Sequence, residues 1–195
     1  EFLVFVLSLR RLRDEESRAA NRFVFRDQPR IEKFLEDLPY SLTAAQRKVW
    51  GEIKADMQSG HVMSRLVQGD VGPETPRGQS LALPRAGLNV YPGPLWAPTE
   101  VLARQHYENI SGMLEGYGIP LKAGLLTGSM TARQKKDTYA EIEQGKVSII
   151  IGTHALIQDK VNYRDLALVV TDEQHRFGVK QRESLAGKGI HLISW

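Results

Sequence analysis

Two adjacent carboxylates, Asp172 and Glu173, follow the apolar run "LALVVT". An aspartate at the end of a buried strand can hold a magnesium ion through water, and the next glutamate can orient and deprotonate an attacking water. Well upstream, Gly69, Asp70, Val71 and Gly72 form a glycine turn that can aim backbone N–H groups at a phosphate. A phosphate loop of the form G-x-x-x-x-G-K-[ST] calls for glycine, lysine and a hydroxyl residue at positions 74 to 76. Glu74, Thr75 and Pro76 stand there instead. The ammonium that would neutralise the β- and γ-phosphates is absent, as is the magnesium-binding hydroxyl at its place. Glu74 brings a like charge towards a triphosphate, costing about 1–4 kcal/mol for a screened contact at ~4 Å. Pro73 and Pro76 remove two N–H donors from the cradle. Taken alone, the loop is a weak motif.

Gln46, in "LTAAQ", carries an amide that offers donor and acceptor together, which suits the edge of adenine. A helix cap followed by a solvent-facing glutamine is the blander account of the same letters. Three further groups, Ala97 to Glu100 with Thr99, Thr127-Gly128-Ser129 and Gly152-Thr153-His154, place hydroxyls and N–H groups at strand ends. Such groups bind nucleic-acid phosphates without reading bases, although each is also an ordinary cap or turn. Histidines 61, 106, 154, 175 and 191 show no metal-ligand spacing.

The elements that must hold these groups alternate. Thr43 is a predicted N-cap for a helix to about Ser59, after a short helix from Ile31 to Leu38. "RLVQGDVG" reads as a strand entering the glycine turn, "PTEVLARQHYENISGMLEGYG" as a helix capped by Thr99, and "LKAGLLTG" as a strand. A helix over "TARQKKDTYAEIEQGK" stops near Gly145, and "VSIIIGTHAL" and "LALVVTDE" are strands too apolar for a surface. Helices alternating with strands buried on both faces predict an α/β fold with a parallel sheet, whose ligands gather at the carboxyl ends of the strands. Before Leu38, the chain reads as a charged amphipathic helix with an apolar start, then the irregular "FRDQPR".

The interval from Gly72 to Trp96 breaks the pattern, with prolines at 73, 76, 84, 92 and 94. Pro84 falls in the middle of the helix that should follow a phosphate loop, and Pro92 and Pro94 fall in the next expected strand. This conflict of local and global signals marks an altered segment.

The 195 residues suffice for one domain plus some extra, and 42% hydrophobic with 25% charged residues is ordinary globular composition. A formal charge of +3 permits a polyanionic partner without arguing for one. Absence of cysteine excludes disulfides and thiolate metal sites and allows a cytoplasmic setting. The apolar run from Phe2 to Leu9 is too short to span a bilayer, so no membrane partner is expected.

In order, "LPYSLTAAQRKVW", "RLVQGDVG", "APTEVLARQHYENI", "LLTGSM", "IIIGTHALIQDKV" and "LVVTDEQHRFGVKQRESL" resemble the first motor domain of RecG-type helicases of superfamily 2. The resemblance runs from about Leu38 to Gly189, except after Gly72, and implies a RecA-like P-loop NTPase domain. The related transcription-repair coupling translocase is similar, but usually carries a second acidic residue where Gln174 stands. By resemblance, ATP and magnesium are the cofactors and branched or forked DNA the partner. Gln46 would contact adenine, and Gly69 to Gly72 would begin the phosphate loop. Asp172 would hold magnesium, Glu173 would activate water, and Gln174 and His175 would couple nucleotide state to DNA. Thr99, Thr127, Gly128 and Thr153 would lie along the DNA strand. Residues 1–37 are similar to the helical linker from a DNA-wedge domain, and 38–195 to the motor domain before its second partner domain. The interval after Gly72 keeps the family's length and loses its letters, which resembles a sequencing, frame or model-building fault more than an evolved insertion. Without the lysine and the second motor domain, an inactive fragment is expected, or alternatively a non-catalytic nucleic-acid-binding module.

Overall fold

The computed structural model describes residues 21, 23, 25–37, 42–67, 79–157, 161–172, 188 and 190–194. The glycine turn at 69–72, Glu173, Gln174, His175 and the amphipathic segment expected before residue 21 lie outside the described residues. The short helix α1, Pro29–Glu36, has proline at its start, where the missing N–H costs nothing. It buries Ile31 and Phe34. Helix α2, Ala44–Gln58, is opened by a capping box and buries Trp50, Ile53 and Met57.

From there strands and helices alternate: β1 Ser64–Leu66, α3 Gln79–Leu88, β2 Gly93–Trp96, α4 Glu100–Gly116, β3 Ala123–Leu126, α5 Ala132–Glu143 and β4 Ile149–Gly152. A 3₁₀ turn, His154–Ile157, precedes β5 Leu168–Thr171 and β6 His191–Ser194. The six strands form one sheet in the order β1-β6-β5-β2-β4-β3, and every pairing is parallel. The predicted doubly covered sheet is therefore the one observed: β2, β4, β5 and β6 are buried along their whole length. Strand β6 was not foreseen, because "IHLISW" is too short to show a period; it fills the place between β1 and β5.

Two expectations about proline need correcting. Strand β2 forms at the centre of the sheet although it contains Pro94. The amides of Gly93 and Ala97 donate to Ser148 and Gly152 on the β4 side, at 3.0 and 2.8 Å. By the alternation of a strand, the Pro94 nitrogen faces the other side, where pairing to β5 begins only at Leu95. The missing donor thus falls just short of the ladder. Helix α3 likewise continues through Pro84, at a cost of about 3 kcal/mol for an interior position. Burial of Ala82, Leu83 and Ala86 against the sheet offsets that loss.

The same helix buries Arg85 completely. Its Nη2 donates to Asp27 Oδ1 at 3.1 Å, while Nε and Nη1 meet no acceptor among the described residues. A buried charge that among the described residues is tied to one partner, itself 60% exposed, is poorly compensated. Lys54, foremost, and Arg85 hold the Asp27 carboxyl below its usual range through their hydrogen bonds. Another buried polar side chain is His191 on β6, whose Nδ1 accepts from the Met63 amide at 3.0 Å. The Phe25 ring meets it in a T-shaped contact, with ring centroids 5.2 Å apart. Burial pushes the imidazole down from 6.5 to about 4, outweighing the upward pull of Asp56.

Replacing Arg85 by methionine should raise unfolding stability by roughly 1–3 kcal/mol, since similar apolar volume replaces an undercompensated charge. Urea unfolding of Arg85→Met and parent checks this, and lower stability in the variant counts against the buried-charge account. His191 is neutral in the folded chain down to about pH 4, whereas in the unfolded chain it takes a proton near 6.5. Its contribution is therefore complete above pH 6.5 and lost as pH falls towards 4, on the order of a few kcal/mol. His191→Asn should flatten the slope of the urea midpoint across that window.

Candidate functional site

Because all six strands run parallel, their carboxyl ends open on one edge of the sheet. That edge collects Thr99 after β2, the turn at 127–129 after β3, Thr153 after β4 and Asp172 after β5. Strands β1 and β5 both pair parallel with β6, so Val67 leaves β1 at the same edge of the sheet as Asp172 leaves β5.

Each strand-end group has a local reason to sit where it does. Thr99 is extended and exposed, and its hydroxyl accepts from the Leu102 amide at 3.3 Å to start α4. Glu100 follows in the first turn, where a carboxylate suits the helix dipole. Its Oε1 accepts the Ser129 amide at 2.9 Å and its Oε2 accepts the Ser129 hydroxyl. Those two bonds, the hydroxyl's first, hold the Glu100 carboxyl below its usual range. Arg104 Nη2 reaches the same hydroxyl at 3.4 Å, and Lys135 Nζ donates to the Gly128 carbonyl at 2.6 Å. The exposed Gly128–Ser129 turn is thus framed by a carboxylate and two cations.

Thr127 directly follows the last residue of β3. It is completely buried, and its hydroxyl lies 3.3 Å from that of Ser129, supporting the turn from beneath. Thr153 is half-buried, and its amide donates to the Leu126 carbonyl at 3.3 Å. Just before it, a Cβ on Gly152 would stand 2.0 Å from that same carbonyl oxygen. Only glycine lets β3 and β4 end this close together. Gln46 is engaged in its own cap: Thr43 Oγ1 accepts from the Gln46 amide at 3.2 Å, and Gln46 Oε1 accepts from the Thr43 amide at 2.9 Å.

Asp172 is nine-tenths buried. Its amide donates to the Trp96 carbonyl at 2.9 Å, extending the β2–β5 ladder by one bond. Its Oδ2 lies 2.7 Å from His106 Nε2, with the two side chains 11% and 12% exposed. The histidine spacing in the sequence gives no reason to single out His106. A usable signal was its position two helical turns beyond the Thr99 cap, on the same face of α4. The carboxylate offers the hard oxygen that a magnesium ion takes, so the residue type and place fit such an ion.

A family model described as DEAD/DEAH box helicase matches residues 90–193. The chain is similar to the ATP-dependent DNA helicase RecG of Bacillus subtilis, 41% identical over 190 residues, covering 97% of this chain and 28% of that protein. Against the RecG of Aquifex aeolicus it is 42% identical over 195 residues, covering 98% and 24%. A solved structure of RecG bound to a three-way DNA junction matches with a TM-score of 0.73 at 31% identity, covering 96% of this chain and 25% of that one. The helicase MrfA shares the fold, with a TM-score of 0.62 at 13% identity. The chain spans about a quarter of the length of the RecG proteins it matches. With its RecA-like parallel sheet, and with the family model covering more than half of its length, this chain belongs to the DEAD/DEAH box helicase family.

Proposed function

We propose that the chain is the first motor domain of an ATP-dependent helicase that remodels branched DNA and stalled forks in recombination and repair. The observation that carries this is the meeting of Asp172, Thr99, the 127–129 turn and Thr153 on one edge of a parallel sheet. Its likeness to RecG, one solved example of which is bound to a three-way DNA junction, supplies the substrate class.

Magnesium, when bound, would neutralise charge on the transferred phosphate; Asp172 would hold it through water and Glu173 would orient the attacking water. The amide nitrogen of Gln46 would meet adenine, since its oxygen is occupied by the cap. Gly69, Asp70, Val71 and Gly72 would begin the phosphate cradle, and Gln174 and His175 would relay its state. On the DNA side, Thr99, Gly128 and Thr153 would meet the strand, with Thr127 holding the turn from below. The partners completing the machine would be a second motor domain, supplying an arginine to the transferred phosphate, and a wedge domain reading the fork.

A second reading, a nucleic-acid-binding module without catalysis, is favoured by Glu74-Thr75-Pro76 and by the undercompensated Arg85 in the following helix. Both readings expect the chain alone to bind forked DNA with an affinity that falls steeply with salt. ATP turnover by the chain alone should stay at background with or without DNA. DNA-stimulated phosphate release would overturn that expectation.

Restoring the loop separates the two. Combining Glu74→Gly, Thr75→Lys and Pro76→Thr exchanges repulsion for attraction at the triphosphate, worth at least about 1.4 kcal/mol, so Mg-ATP affinity should rise tenfold or more. Equilibrium binding of a fluorescent ATP analogue measures this, and an unchanged affinity supports the non-catalytic module.

A further inference from the structure

Helix α4 touches both ends of the candidate site. In its first turn Glu100 occupies the amide and hydroxyl of Ser129, and two turns past the cap His106 meets Asp172. Between and beyond them Ala103, Ile110 and Leu114 are buried against the sheet, so the helix is seated as one body. Asp172 is held by the same unit twice: its backbone by the last residue of β2, its carboxylate by the helix that β2 leads into.

The donors that Glu100 occupies are those a nucleic-acid phosphate would take. A phosphate arriving at the exposed Thr99 and Gly128–Ser129 rim competes with Glu100 for the Ser129 amide and hydroxyl, and like charge drives the carboxylate away. Arg104 and Lys135 favour the incomer. The phosphate therefore interacts differently with the latched and unlatched arrangements, which is the condition for shifting one into the other. Resting on the motor-domain reading, we propose that His106 is a positioning residue: DNA phosphate unlatches Glu100 from Ser129, α4 shifts, and His106 carries that shift to the Asp172 carboxylate. A nucleic-acid signal thereby reaches the hydrolytic end through one helix, without a change in the sheet.

The chain with ¹⁵N-labelled backbone and histidines, titrated with forked DNA, tests this. Binding is followed by anisotropy in parallel. The His106 ring signal, assigned by its loss in His106→Gln, and the Asp172 amide signal should both move, saturating with the binding curve. In His106→Ala the Asp172 response should fall at least threefold at equal DNA saturation, and in His106→Gln, whose Nε2 restores a donor, it should return. Bound DNA with both signals unmoved overturns the proposal alone, as does an Asp172 response undiminished in His106→Ala. No DNA binding at all overturns it together with the motor-domain reading. Should His106→Ala lose its dispersed spectrum, the parent signals and His106→Gln still decide.

Discussion

Parallel pairing of β2 between β4 and β5 is the constraint on which the rest depends. Four residues of β2 align with Ile149 to Gly152 on one side, and two with Val170 and Thr171 on the other. Parallel ladders bring like ends together, so every loop that leaves a strand's carboxyl end leaves on the same edge. Thr99, the 127–129 turn, Thr153 and Asp172 are far apart in the chain and become neighbours for this reason alone. The close approach of Gly152 to the Leu126 carbonyl shows how tightly that edge is drawn.

The central strand survives an unpromising sequence. Prolines at 92 and 94 argue against a strand in local terms, yet β2 needs donors only on the β4 side along its first half, and Gly93 supplies one. Apolar burial decides the outcome, since Leu95, Trp96 and Ala97 are all inside. Helix α3 tells the same story less comfortably. It keeps its place over the sheet while carrying Pro84 and a buried Arg85, so position follows from the surrounding fold rather than from the helix's own residues. A tertiary frame can thus hold a segment whose composition does not suit it, and the misfit remains as two guanidinium nitrogens that meet no acceptor among the described residues.

Polar interactions at the carboxyl edge are arranged in layers. Beneath, Thr127 and Gly152 shape the turns; above them, Glu100, Arg104 and Lys135 surround the Gly128–Ser129 rim. His106 and Asp172 sit deeper, largely out of water, where a hydrogen bond between ring and carboxylate is worth more than at the surface. Helix α4 spans both layers, so chemistry at the rim and chemistry at the carboxylate share one support.

Much was legible in the letters because it is local. Apolar runs such as 149–151 and 168–170 declare strands buried on both faces, and Thr43 and Thr99 declare caps, since a side-chain oxygen three residues from an amide needs no distant partner. Strand-end threonines and Asp172 could be named as candidate site residues because parallel α/β topology fixes which end of a strand matters. The tertiary structure alone decided that Thr127 is buried, that "IHLISW" is a strand, and that His106 meets Asp172. Those outcomes depend on the register between strands and on which helix face meets the sheet. Both are set by long-range packing that no short window of sequence contains.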